Sequence, residues 1–97
     1  MKLDKNGNFE VQEIKTTIKE YNANDLPAYF KWDCGSHPWY FRVRNVEGCI
    51  VADQLKKTYE GIEYQFSTIT SAFSTTNKPI GEDEWRNVMH NFIKQMR

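Results

Sequence analysis

The sequence predicts an α+β fold: a two-layer sandwich in which an antiparallel sheet of three to five strands, connected as a meander, carries an N-terminal and a C-terminal helix on one face. Three observations predict this fold. An aromatic-rich hairpin pattern covers residues 28–46, apolar stripes with helical spacing lie near both ends of the chain, and apolar and polar residues alternate between them. The 97 residues leave no room for a second core, so we expect a single domain spanning residues 1–97.

Composition and charge restrict the class of protein. The 13 basic and 13 acidic residues cancel, so no overall field draws the chain to nucleic acid or to an anionic membrane. No apolar run reaches the length of a membrane span, and the polar start lacks the apolar core of a signal peptide. Two cysteines are too few for a secreted disulfide framework. We therefore expect a small soluble cytoplasmic domain that does not bind membranes.

The first predicted element is a helix over about residues 9–21, which would have to be stabilised by packing on the sheet. Its apolar residues share one helical face, at three- and four-residue spacing: Val11, Ile14, Ile18 and Tyr21. The polar run at residues 22–25 ends this helix, and Pro27 favours an extended segment after it.

The next two predicted strands form a hairpin over residues 28–33 and 39–45, separated by a Gly-Ser-His-Pro turn signal. Side chains alternate between the two faces of a strand. One set is apolar and is expected to face the core: Phe30, Trp32, Trp39, Phe41 and Val43. The other set is expected to face outward on a sheet face without a covering helix: Tyr29, Lys31, Tyr40, Arg42 and Arg44.

Two alternatives remain open in the middle of the chain. After a Glu47-Gly48 turn and a strand starting at Cys49, residues 53–60 form either one or two helical turns capped by Asp53, or a continued strand and a turn at Lys56-Lys57, which we favour. The alternation of residues 62–66 predicts a further strand. Its phase then slips, so we expect either a β-bulge near residues 67–68 or a separate fifth strand.

The last predicted element is a helix that begins after Gly81 and starts with three acidic residues, which suit the positive end of the helix dipole. Its apolar stripe consists of Trp85, Val88, Met89, Phe92, Ile93 and Met96. If this stripe is wider than the sheet can cover, Met89 and Met96 would support a homodimer through the helix.

Two thiols and two imidazoles, from Cys34, His37, Cys49 and His90, are the ligand types of a structural zinc site. Pairing across the Glu47-Gly48 turn, however, places Cys49 beside Arg44, about 16 Å from the Cys34 loop. We therefore expect no disulfide between the cysteines and no metal or cofactor. Cys34 and His37 could also form a thiol nucleophile and its base, but no oxyanion donor accompanies them. A small enzyme or a zinc-stabilised domain that uses the Cys34–His37 loop is the less favoured hypothesis, and we predict no catalytic residue.

The outward face of the hairpin is the better candidate for function. Aromatic and arginine side chains are favoured at protein interfaces, and an uncovered sheet face offers a docking area. The same residues could stack bases and bind the phosphates of single-stranded nucleic acid. Because the net charge is zero, we favour a protein partner, with nucleic acid as the alternative.

Overall fold

The computed structural model describes residues 3–12, 18–33, 35–74 and 76–96. Its strands, in chain order, are β1 (Asn8–Gln12), β2 (Ile18–Asn22), β3 (Ala28–Trp32), β4 (Trp39–Val46), β5 (Cys49–Thr58), β6 (Gly61–Ser67) and β7 (Lys78–Ile80). Its helices are α1 (Ile69–Ala72) and α2 (Glu82–Gln95), and a short 3-10 helix covers Ala23–Asp25. Five strands form one antiparallel sheet in the order β6-β5-β4-β3-β7, and β1 and β2 form a separate hairpin. The α+β class and the antiparallel sheet are thus confirmed. Strands β3 to β6 follow one another as a meander, whereas β7 crosses over to pair with β3 at the other edge.

The predicted N-terminal helix is wrong, because both of its ends are strands of the β1–β2 hairpin; residues 13–17 lie outside the described part. Phe9 and Val11, two residues apart on β1, face the same side of the strand and are almost fully buried. The Phe9 ring stacks on Tyr21 across the hairpin at 5.8 Å, and Tyr21 stacks on Phe73 at 4.2 Å. These contacts require the alternating side-chain directions of a strand rather than the single apolar stripe of a helix. They pack the β1–β2 hairpin against the sheet.

The two covering layers lie on opposite faces of the sheet, which corrects the prediction that both flanking elements share one face. The β1–β2 hairpin and α1 cover the face that carries Phe41 and Val43. Helix α2 covers the face that carries Tyr40 and Leu55. We call these the hairpin face and the helix face. The sheet buries apolar side chains on both, since each strand of the predicted hairpin has them on both sides.

The predicted hairpin itself is confirmed as β3 and β4, with Phe30 opposite Phe41. Residues 53–58 continue β5, so the favoured strand alternative holds, although the turn comes at residues 59–60 rather than at Lys56-Lys57. The phase slip after β6 is neither a bulge nor a fifth strand. Thr68 ends the strand and caps α1 by accepting a hydrogen bond from the Ser71 amide, and this turn carries Phe73 to the hairpin face.

The C-terminal helix is confirmed as α2, with Gly81 at its N-cap and acidic residues in its first turn. Trp85 and Val88 are its buried residues, whereas Ile93 and Met96 are 43% and 64% exposed. The stripe is therefore wider than the surface that α2 buries. Among the described helices, none is long and apolar enough to cross a membrane.

Candidate binding surface

Helix α2 crosses the helix face diagonally, and this path decides which of the predicted residues remain accessible. Near its start, Glu82 accepts a hydrogen bond from the Tyr29 hydroxyl on β3 at 3.3 Å. Near its end, Gln95 bonds to the backbone of Ile62 on β6. The helix therefore leaves open the part of the sheet that lies towards Arg44 on β4 and Phe66 on β6, where Phe66 is 73% exposed.

A buried carboxylate, Asp53, organises the floor of this open part. It is 1% exposed and lies on β5 directly opposite Arg42. Arg42 donates to both of its oxygens, from Nε at 3.0 Å and from Nη2 at 2.5 Å. The Tyr64 hydroxyl donates to Oδ2 at 2.6 Å, and an Arg44 Nη2 lies 3.7 Å from the same oxygen. The two guanidiniums and the phenol offset the cost of burying the carboxylate.

The ring of Trp85 completes the environment of Arg42. The guanidinium carbon lies 5.1 Å from the centre of the Trp85 ring, a cation–π contact between β4 and α2. The bond to Asp53 raises the pKa of Arg42 above its ordinary value, against the opposing effect of burial. Burial and the bond to Asp53 likewise raise the pKa of the Tyr64 phenol. Arg42 thus stays positively charged and connects α2 to the sheet through its contacts with Trp85 and Asp53.

The five predicted binding residues separate into two groups around α2. Tyr40 is 5% exposed and packs with Leu55 and Trp85, and Lys31 lies 3.6 Å from Glu84 of α2. The helix engages both of these residues, contrary to the expected uncovered face. Tyr29 and Arg42 also contact α2, through Glu82 and Trp85, but both line a cavity beside the helix, and Arg44 follows Arg42 on the same face of β4.

Tyr29 and Arg42 line a cavity of about 330 Å³ between the sheet and the exposed side of α2. The α2 residues that line it are Glu82, Trp85, Arg86, Met89, His90 and Ile93. Arg44 lies two residues beyond Arg42 on the same face of β4. We call this cavity, together with Arg44, the helix-side groove. Arg86 pairs with Glu82 at 3.3 Å and Arg42 with Asp53, so of the three groove arginines only Arg44 has no carboxylate of its own among the described residues.

A second concavity lies on the hairpin face, with a volume of about 350 Å³. Its floor consists of Trp32, Trp39 and Phe41, and its rim carries the hydroxyl and amide side chains of Thr70, Ser71, Ser74, Thr76 and Asn77. The indoles of Trp32 and Trp39 meet edge to face at 4.9 Å, and the Lys56 ammonium lies 4.4 Å from the centre of the Trp39 ring. The Asn77 side-chain amide donates to two backbone carbonyls of α1, so this part of the rim stabilises the fold.

The described thiol and imidazole groups lie in separate parts of the fold. Cys34 lies outside the described residues. His37 packs against Tyr59 beside the β5–β6 turn, and His90 lies in the helix-side groove. Cys49 is opposite Val46 at the start of β5, rather than beside Arg44 as expected. Within the described ranges, no three His, Cys, Asp or Glu side chains form a metal-binding cluster.

Sequence reasoning missed Asp53, which was interpreted only as a helix cap or as part of a strand. A signal for it was present in the Glu47-Gly48 turn. A two-residue hairpin loop pairs Val46 with Cys49, and counting back from that pair places Arg42 opposite Asp53. The expected register, with Cys49 opposite Arg44, differs by two residues from the observed register of β4 and β5. The expected register does not place Arg42 opposite Asp53.

The chain matches no protein-family model, no curated protein sequence and no solved structure.

Proposed function

We propose that this chain is a small, non-enzymatic protein-binding module and that the helix-side groove receives an acidic segment of its partner. Three of the five residues expected from the sequence contribute to the surface: Tyr29, Arg42 and Arg44. The remaining contacts come from α2, which was expected to lie on the other face.

The observation that carries the proposal is the incomplete pairing of Arg44. Asp53 already receives two hydrogen bonds from Arg42 and one from Tyr64, and it lies 3.7 Å from Arg44. The Nε of Arg44 is buried and has no hydrogen-bond partner among the described residues. Two guanidiniums therefore share one carboxylate, and the Arg44 side chain is 40% exposed. A carboxylate from a partner would complete this site through charge-assisted hydrogen bonds.

The apolar side of the groove supports the same proposal. Met89 and Ile93 line it from α2, and Ile93 is 43% exposed. Arginine, methionine and aromatic side chains are the types enriched in protein interfaces, and central anchor residues supply most of the binding energy. A cavity of about 330 Å³ accommodates one or two partner side chains. We therefore expect the partner to present an acidic residue next to an apolar one.

Single-stranded nucleic acid is the less favoured alternative. Base stacking requires accessible aromatic faces, but Tyr40 is 5% exposed and Tyr29 packs against Trp85 at 6.0 Å. Lys31, which would contact phosphate, lies beside Glu84. These contacts bury Tyr40 and engage Tyr29 and Lys31, three of the five residues on which that alternative depends.

The test is quantitative capture from an extract of the native cells, comparing the wild type with two cation-to-amide variants. Arg44→Gln removes the proposed anchor. Lys78→Gln is the matched control, because Lys78 is exposed at the β7 edge, opposite Lys31 and away from the groove. We expect a protein that the wild type and the control retain equally and that Arg44→Gln loses. If no captured protein is depleted by Arg44→Gln, the groove is not the binding surface.

A further inference from the structure

The outer edge of the sheet at β6 has backbone groups that point away from the protein. The Lys57 amide donates to the Pro38 carbonyl at 3.2 Å, so Lys57 bonds towards β4. Its partner across the ladder is Ile62, whose amide and carbonyl must then point outward. Tyr64 and Phe66 follow at a period of two residues and share this direction.

The side chain of Gln95 closes one end of this edge. The Ile62 amide donates to Gln95 Oε1 at 2.9 Å, and Gln95 Nε2 donates to the Ile62 carbonyl. This carboxamide makes the two bonds that a residue of an added strand would make. At the other end the chain leaves the strand at Thr68, the cap of α1. The open edge is therefore limited to Tyr64 and Phe66.

The side chains on the open edge are unusual for an exposed strand. Phe66 is 73% exposed and Tyr64 is 36% exposed, with their rings 6.2 Å apart. Charged side chains and proline normally protect an exposed edge from pairing with another strand. Residues 64–67 contain neither. Such an edge is suited to another strand.

We propose that the occupant is the β6 strand of a second copy of this chain, added antiparallel about a two-fold axis at Gln65. In this register Tyr64 of each copy faces Phe66 of the other, and the outward amides and carbonyls of these two residues form four backbone hydrogen bonds. The four aromatic rings then pack together on the helix face, where cross-strand aromatic pairs are favourable.

The flanking residues fit the same register. Glu63 faces Ser67 of the other copy, so no like charges stand opposite each other on β6. Ile62, already bonded to Gln95, faces Thr68, where the second chain has turned out of the strand. The position that Gln95 occupies on one copy thus lies beside the end of β6 on the other copy. The net charge of zero adds no overall repulsion between copies.

Tyr64 and Phe66 do not line the cavity of the helix-side groove, although Tyr64 and Arg44 approach the same oxygen of Asp53. The interface does not depend on the function proposed for that groove. It also differs from the homodimer through the C-terminal helix that the sequence suggested. Met89 is partly buried in the core beside Val88, and only Met96 of that predicted pair is largely exposed.

Sedimentation over a range of protein concentrations tests the proposal. We expect the wild type to reach twice the chain mass and Phe66→Lys to remain a monomer, with circular dichroism and melting equal to those of the wild type at dilutions at which the wild type is also monomeric. Tyr59→Lys is the control, because Tyr59 is 96% exposed at the β5–β6 turn and outside the proposed register. Arg44→Gln should still dimerise. A wild type that is monomeric throughout, or a dimer that persists in Phe66→Lys, would overturn the proposal.

Oxidative cross-linking checks the register in a Cys34→Ser, Cys49→Ser background. Gln65 lies on the proposed axis in a non-hydrogen-bonded pair, whose Cα atoms are about 4.5 Å apart and within reach of a disulfide. Gln65→Cys should therefore form a covalent dimer under mild oxidant. Glu63→Cys should not, because its two copies are offset by four residues, about 13 Å. Efficient cross-linking of Glu63→Cys instead of Gln65→Cys would contradict the proposed pairing.

Discussion

Replacing Asp53 by asparagine should destabilise the protein strongly, although the side chain keeps its shape. Asp53 is 1% exposed, and both of its oxygens accept hydrogen bonds, from Arg42 and from Tyr64. An asparagine offers one acceptor oxygen and places an NH₂ group against donors. The Arg42 guanidinium would then be left without a neutralising charge between β4 and α2.

The size of the effect follows from the burial of the pair. Removing one partner of a buried ion pair costs about 3–5 kcal/mol. The Arg42 side chain is 21% exposed and would be partly hydrated after the change, so we expect a value near the lower end, about 3 kcal/mol. That is a large part of the roughly 5–15 kcal/mol that stabilises a typical domain.

Urea unfolding followed by tryptophan fluorescence measures this loss. With a slope of about 1.5 kcal/mol per molar urea, a loss of about 3 kcal/mol lowers the midpoint by about 2 M. Glu63→Gln is the matched control, because Glu63 is an exposed carboxylate on the same sheet, and it should change stability by less than about 0.5 kcal/mol. A midpoint for Asp53→Asn equal to that of Glu63→Gln would refute the reasoning.

A second change identifies the cause of the loss. Adding Arg42→Met to Asp53→Asn removes the uncompensated guanidinium while keeping an apolar stem against Trp85. Replacing both members of a buried pair is much less costly than removing one, so we expect the double variant to be more stable than Asp53→Asn alone. A double variant with additive losses would instead show that Asp53 acts mainly through Tyr64.

Two further predictions concern the core and the response to alkali. Phe73→Ala should cost about 3–5 kcal/mol in urea unfolding, because Phe73 is 7% exposed and its ring joins the β1–β2 hairpin to the sheet. Phe66→Ala on the exposed edge should cost less than about 1 kcal/mol at concentrations at which the chain is monomeric. Equal losses would contradict the described packing. Burial raises the pKa of Tyr29, Tyr40 and Tyr64, so these phenols hold their protons more tightly in the folded state. Their contribution to the free energy of unfolding is therefore complete below about pH 10 and is lost as the pH rises above that value. Unfolding midpoints at pH 8 and 11 should show this loss, and it should be smaller in Tyr64→Phe; a loss that Tyr64→Phe leaves unchanged would exclude Tyr64 as a contributor.

Local patterns identified the parts of the fold that local interactions determine. The alternation over β3 and β4 assigned each residue to the correct face, and the acidic first turn and apolar stripe located α2. The N-terminal segment was misassigned because Val11 and Tyr21 fit a helical stripe as well as two strands. The contact that decides between them is the stacking of Tyr21 on Phe73, 52 residues apart in the chain.

The candidate site depended on two facts that lie beyond local pattern. One is the face on which α2 packs, which buries Tyr40 and forms the wall of the groove. The other is the register of β4 and β5, which brings Asp53 to Arg42. Alternation placed Tyr29, Arg42 and Arg44 on one face, but it could not show that Asp53 pairs fully with Arg42 and only incompletely with Arg44.

The role of Arg44 as the anchor of the helix-side groove is the central claim, and the affinity of a purified partner tests it most directly. A charge-assisted hydrogen bond lost from an interface costs about 1.5–3 kcal/mol, or roughly 10- to 150-fold in Kd. Calorimetric titration of the partner captured by the wild type should therefore show at least a tenfold weaker Kd for Arg44→Gln and a change below about twofold for Lys78→Gln. Equal affinities for the two variants would contradict the claim.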